Sequence, residues 1–418
     1  MSSLIEWKGD EIGVRLFPEL EKLSISNCPL LKSTPSQFEI LHKLSIEGVD
    51  SEMPLLNLCS NLTSLVKLSI YGVKELTCLP DEMLRNNVSL QNLTVSGCRE
   101  FRNLPQSLYN LHSLRSLQIH FCPNFSSFPI PSGENYLTSL QTLELWDCDG
   151  LASLPSGMLE HCRSLGFLMV SCCNNLVSLP LHVWEMPSLF YLGLSDCPKF
   201  ISIPAGGLHR LTRLRVLEIG PFPEIVDFEA FQLIFNGIQQ LLSLRNLAVT
   251  GLGHWNSVPY QFMQLSSLIH IHICDFGIEA LPHRLDNLIS LETLHLVRCK
   301  QLQHLDFSDA MPKLRFVDIR DCPLLEALSD GLGNLVSLEE LYLHDCEKLE
   351  HLPSRNAMRH LTKLQSLKIK GCPKLEESFT NYSQWSKISH ISNIELGGRR
   401  RTTVAGSKRL CGKSSQIV

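Results

Sequence analysis

Three histidines, His270, His272 and His295, and sixteen cysteines are the residues of this 418-residue chain whose types could do chemistry. Imidazoles and thiolates bind zinc when three or four of them converge on one point. Cys274 and Asp318 are the nearest further donors to the histidines. They complete no obvious shell, so a polar surface patch is expected there rather than a metal. The cysteines form no C-x-x-C pair, and Cys172-Cys173 is merely an adjacent pair. No G-x-S-x-G turn exposes a nucleophilic serine, and no H-E-x-x-H helix occurs. The nearest approach to a phosphate-binding loop, Gly412-Lys413-Ser414, has Ser407 where the first glycine belongs. Neither an enzyme nor a cofactor is expected.

The elements that carry these residues recur with a period. The unit L-x-x-L-x-[IL]-x-x-C-x-x-L-x-x-L-P is copied cleanly in Leu140, Leu143, Leu145, Cys148, Leu151, Leu154 and Pro155. Leading leucines stand at Leu20, Leu41, Leu65, Leu90, Leu114, Leu140, Leu165, Leu189, Leu214, Leu244, Leu268, Leu291, Leu314, Leu338 and Leu364, fifteen units spaced 21 to 30 residues apart. Such a period marks a solenoid, in which each unit buries its apolar face only against its neighbours. Leu143 and Leu145 alternate with Thr142, Glu144 and Trp146, which gives a short strand with one buried face. Pro155 closes the returning stretch, since it has no amide to donate and holds its predecessor extended. Ten cysteines, including Cys98, Cys122, Cys148, Cys173 and Cys197, share one phase of the repeat. They are expected to stack as small buried hydrophobes. The opening residues, with Glu6, Asp10 and Glu11, lack a secretory pattern, so reduced thiols are expected.

The fold class expected is an α/β leucine-rich repeat solenoid, a curved horseshoe with a parallel concave β-sheet and an irregular or short-helical convex side. Strands about 4.8 Å apart would make that sheet on the order of 70 Å long. Residues 1–19 are expected to be an amino-terminal lead-in and cap, 20–378 the repeats, 379–396 a carboxy-terminal cap and 397–418 a basic disordered tail. The tail carries Arg399, Arg400, Arg401, Lys408, Arg409 and Lys413 with no acid, a composition that predicts disorder. Between Leu214 and Leu244 the spacing widens to 30 residues, with Phe222, Phe228, Phe231 and Phe235. A longer outer helix over a wider core is expected there, with a hinge or contact loop as the alternative. The net charge of −5 gives no reason to expect a nucleic acid or an anionic membrane as partner. No run of 18 apolar residues predicts a spanning helix. A cytoplasmic or nucleocytoplasmic location is expected.

Four features carry a resemblance to a known family. The repeat dialect reads Leu20-Glu-Lys-Leu-Ser-Ile-Ser-Asn-Cys-Pro-Leu-Leu. The lead-in is Leu4-Ile-Glu-Trp followed by Phe17-Pro-Glu-Leu. Leu-x-Ser-Leu segments recur at 62–65 and 137–140. The ending is Gly371-Cys-Pro-Lys-Leu-Glu-Glu, then Trp385-Ser-Lys-Ile. Together they resemble the carboxy-terminal leucine-rich region of plant nucleotide-binding immune receptors with a coiled-coil amino terminus. The resemblance covers about residues 1–396. It implies a protein-binding recognition module in plant innate immunity, sensing a pathogen effector or a guarded host protein. It also implies contact with a nucleotide-binding module where the two are joined. That module and its phosphate loop are not found in these 418 residues. Nucleotide switching and signalling are therefore not carried over, and a fragment or truncated product is expected. The alternative is a stand-alone adaptor, such as a substrate-selecting subunit of a ubiquitin-ligase assembly. Extracellular plant repeat receptors resemble N-x-L-x-G-x-I-P, which does not occur here.

Outward strand positions are where such a solenoid would bind. One column runs from Ser24 to Lys368, and the next from Ser26 to Lys370. Early repeats are bland and serine-rich; larger and charged groups rise from Gln118 onward and are densest from His272 to Lys370. Interface hot spots favour Trp, Tyr and Arg, which singles out Trp146, Arg320 and Tyr342. Tyr71, Phe167, Tyr191 and Phe316 flank them. With His120, His272, His295, Asp318, His344, Lys368 and Lys370 they form the candidate protein-binding set of the concave face.

Overall fold

A computed structural model describes residues 3–8, 17–36, 38, 40–59, 62–131, 136–201, 203–204, 206–281, 285–307, 311–380 and 382–402. The chain divides into two compact units, Met1–Leu244 and Arg245–Val418. Each is a stack of repeats, and in both every repeat strand begins two residues after its leading leucine. This is the leucine-rich repeat solenoid that the period predicts.

In the first unit nine five-residue strands follow one another: Lys22–Ser26, Lys43–Glu47, Lys67–Tyr71, Asn92–Ser96, Ser116–His120, Thr142–Trp146, Phe167–Ser171, Tyr191–Ser195 and Val216–Gly220. All pair in parallel with residue-for-residue register, Leu143 beside Leu117 and Leu168, for example. In the second unit Asn246–Thr250, His270–Cys274, Thr293–Val297, Phe316–Arg320, Glu340–His344 and Ser366–Lys370 form the same ladder. Asn393–Leu396 extends it by one further parallel strand. The outer segments are short, among them a 3-10 turn at Gln106–Asn110 and α-helices at Asp81–Asn86 and Arg355–His360.

The core is the leucine lattice, with Leu143, Leu145, Leu151, Leu341, Leu343 and Leu349 fully buried. The cysteine column lies inside it. Each thiol there reaches the carbonyl two residues back, as Cys122 does to His120 O and Cys197 to Ser195 O, both at 3.3 Å. Cysteine thus fills a small apolar space and also satisfies a carbonyl at the strand end, which leucine could not do. Burial pushes Cys98 up to about 11 and Cys122 up to about 12, so both stay protonated thiols. All the described cysteines are free.

The chain leaves most strands through a residue in the left-handed region. Asn27, Gly48, Gly72, Gly97, Asp147, Asp196, Asp275, Asp321, Asp345 and Gly371 hold that place. Glycine, asparagine and aspartate tolerate it best. Phe121, Cys172 and Arg298 occupy it at φ 52°, 54° and 54°, against that preference.

The wide repeat holds the predicted outer helix, Phe228–Leu233, whose first turn Asp227 caps by accepting from the Glu229 amide at 3.0 Å. Phe222, Phe231 and Phe235 are fully buried around it. The tail differs from expectation. Arg399–Thr402 pairs antiparallel with Asn393–Leu396, so disorder does not begin at residue 397. Gly397 and Gly398, at φ 54° and 76°, supply the two positive angles of a tight hairpin turn. Lys408, Arg409, Lys413 and the Gly412-Lys413-Ser414 string lie outside the described residues.

Candidate protein-binding surface

The period-two alternation that buries Leu143 and Leu145 places Thr142, Glu144 and Trp146 on the opposite side of the sheet. The same holds in every repeat, so the outward columns come into register across strands.

In the first unit a hydrogen-bonded row crosses three strands. Thr94 Oγ1 donates to Gln118 Oε1 at 3.0 Å, and Gln118 Nε2 donates to Glu144 Oε1 at 3.0 Å. Glu144 Oε2 lies 3.3 Å from His120 Nε2, which makes no hydrogen bond. Burial holds His120 below its ordinary value, outweighing the pull of Glu144 in the other direction, so the imidazole is neutral at neutral pH. Trp146, 40% exposed, meets His120 edge-on at 6.3 Å. Phe167 and Tyr191 stack at 4.0 Å, and Tyr191 Oη donates to Glu218 Oε2 at 2.9 Å. Tyr71, 37% exposed, stands apart from this group between Glu47 and Ser96.

The second unit presents imidazoles and cations. His270 pairs with Thr293 Oγ1 at 2.6 Å, His272 Nε2 lies 3.3 Å from Cys274 Sγ, and His272 and His295 meet at 5.2 Å. His295 Nδ1 is 3.2 Å from Asp318 Oδ2, while Arg320 grips both oxygens of Asp318 at 2.9 and 2.7 Å. Phe316 lies between His295 and Tyr342, at 5.2 and 4.9 Å. Lys368 Nζ sits 4.0 Å over the Tyr342 ring, whose hydroxyl donates to Glu340. His344 meets the same ring edge-on, and Lys370 is exposed on the last repeat strand beside it. Burial lowers His272, helped by the charge of His295, and burial lowers His344. Among the described residues no three His, Cys, Asp or Glu side chains are arranged to hold a metal ion.

One member of the candidate set is corrected. Asp318 is only 1% exposed. It sits on the outward side, but Arg320 and His295 cover it, so its carboxylate orients those two groups rather than facing solvent. Burial alone would raise its pKa; the bonds from His295 and Arg320 outweigh that and hold it below the usual carboxylate range. Cys274 and Val297, outward by alternation, are likewise buried.

Alternation also misses two rings. Phe121 is 45% exposed and packs 5.2 Å from Trp146, from the left-handed turn position. Phe190, 45% exposed, precedes its strand and lies over Gly166, where a Cβ would stand 2.6 Å from the ring. The signal for Phe121 was available: a bulky residue in a column otherwise rich in Gly, Asn and Asp.

The repeats and their outward columns define a leucine-rich repeat fold. Residues 19–41 match the family described as Leucine Rich Repeat. A leucine-rich repeat protein of Leptospira interrogans shares the fold at a TM-score of 0.64 and 21% identity, over 90% of this chain and 96% of that one. Among curated proteins, the chain is 27% identical over 298 residues to TMV resistance protein N of Nicotiana glutinosa, 69% of this chain and 24% of that protein. It is 38% identical over 97 residues to disease resistance protein RGA2 of Solanum bulbocastanum, 22% of this chain and 10% of the relative. The chain thus matches about a quarter or less of the length of these relatives. Among the described residues no helix is long and apolar enough to cross a membrane.

Proposed function

We propose that this chain is the repeat region of a plant nucleotide-binding immune receptor of the coiled-coil class, a non-catalytic module inside the cell. It recognises a pathogen effector or a guarded host protein through the outward, concave face of its strands. The observation that carries this reading is the ordering of that face. Trp146 packs against His120, Phe167 stacks on Tyr191, Phe316 meets Tyr342 and Asp318 holds Arg320, each on the outward side of its sheet. Side chains already fixed by their neighbours lose little freedom when a partner docks. A tryptophan held 40% exposed adds little to folding and much to an interface.

Alanine at Trp146, Arg320 and Tyr342, singly and together, tests the proposal in a pull-down with the recognised protein and in a recognition assay. Each single change is expected to cost about 2 kcal/mol of binding, and the triple variant is expected to lose binding. A triple variant that binds and signals as wild type would reject the outward face.

A further inference from the structure

Five consecutive strands of the first unit, from Ser116–His120 to Val216–Gly220, offer fifteen outward positions. None holds a lysine or an arginine, and two hold carboxylates, Glu144 and Glu218. Arg115 and Arg215 precede their strands rather than standing on them. His120 is neutral at neutral pH, for the reason given above, so no cation on this face balances the two acids. Gln118 holds one oxygen of Glu144 and Tyr191 one of Glu218, and the other oxygen of Glu144 lies 3.3 Å from the neutral His120. The row between them reads Met169 then Gly193. A Cβ at Gly193 would lie 3.1 Å from the Tyr191 ring and 3.3 Å from Met169 Cγ. The missing side chain lets Tyr191 lean across toward Glu218. The two acids therefore flank a floor of Met169 and Gly193, walled by the Phe167–Tyr191 stack and by Trp146.

Phe121 is an independent sign that this surface is kept for contact. It holds a left-handed angle that disfavours a bulky L-residue, yet it leaves 45% of itself in solvent beside Trp146. Burial in the core does not offset that strain. Backbone strain of this kind persists where a function requires it.

We propose that this face binds a protein segment through arginine. The guanidinium plane stacks on aromatic rings and also pairs its fork with a carboxylate, which a lysine ammonium does less well. The inference rests on the outward-face reading above and names the chemistry of what docks in the first unit. An acidic segment would meet two unbalanced carboxylates, and an apolar one would strand them.

The test is a selection of random dodecapeptides displayed on phage against the full chain. The strongest peptides are then measured by fluorescence polarisation on wild type, Glu144→Gln/Glu218→Gln and Trp146→Ala. Melting curves identify any variant that fails to fold, and Glu144→Gln alone serves as the milder substitute. Arginine is expected to be enriched among the binders. Affinity should fall at least about tenfold in the double variant, the loss of a charge-assisted bond, and less when the arginines become lysine. Binders without arginine that still weaken with Trp146→Ala would sink the arginine inference and leave the outward face standing. Binders indifferent to all variants would sink both. A selection that enriches nothing also counts against the proposal.

Discussion

The two units are built on the same repeat and the same kind of leucine core, yet their outward faces differ in kind. In the first, strands 116–120 to 216–220 carry rings and two acids without a cation. In the second, His270, His272, His295 and His344 stand among Arg320, Lys368 and Lys370, and the one central acid, Asp318, is already taken by its neighbours. A leucine lattice fixes the backbone without restricting what faces away from it. Stability and recognition are therefore written in different columns of the same repeat, and two faces of opposite character can sit on equivalent scaffolds.

The sharpest way to break this contrast is at one acid from each face. Asp318→Ala should destabilise the chain by about 2 kcal/mol in urea unfolding, since Arg320 and His295 lose a buried partner. The figure lies below that for a fully enclosed pair because Arg320 is half exposed. Glu144→Ala should cost about 1 kcal/mol or less, one neutral-donor hydrogen bond from Gln118. Equal costs would show that the two acids do the same job.

A smaller effect distinguishes the turn residues. Phe121→Asn should raise stability by about 0.5 kcal/mol, the relief of left-handed strain less the lost contact with Trp146. Arg298→Asn should not, because Arg298 at the equivalent place clasps Asp275 through Nε at 2.9 Å and a terminal nitrogen at 2.7 Å. Urea midpoints of both variants decide it. If Phe121→Asn destabilises, that ring serves the fold rather than a partner.

The smallest effect is on pH. Burial is the first cause lowering His120, His272 and His344 below 6.5. The unfolded chain then takes up protons at a higher pH than the folded one. Stability is highest above about 6.5 and falls as pH drops through that value toward the folded pKa. Melting temperature measured from pH 7.5 to 5.5 should decline. The combined change His272→Gln and His344→Gln should flatten the decline more than His120→Gln does. An unchanged slope would remove the second unit's imidazoles from the account.

The strands were legible because burial imposes a period: each begins two residues after a leucine that only the core explains. The cysteine column was legible for the same reason. The face was legible by direction and not by exposure. Alternation put Asp318 outward, but whether it meets solvent depends on how Arg320 and His295, on its own and the adjacent strand, fold over it. That is a two-dimensional question, set by the sizes of lateral neighbours. Phe121 is not legible from alternation because its ring leaves from the turn, outside the alternating positions. The Arg399–Thr402 strand is masked in the sequence by its basic composition, although Gly397-Gly398 is a dipeptide that suits a hairpin.

The residue-for-residue register of the strands has a consequence for how such a chain can change. Removing or duplicating a whole repeat shifts the count of rungs while every remaining side chain keeps its side of the ladder. Inserting a single residue within a strand would turn that rung inside out, bringing leucines to the surface and polar groups to the core. Unequal exchange between repeats is therefore a mild way to shuffle a recognition surface, whereas small frame-preserving insertions within a strand are severe. New specificities in a molecule of this build are expected to arrive by whole rungs or by single outward substitutions.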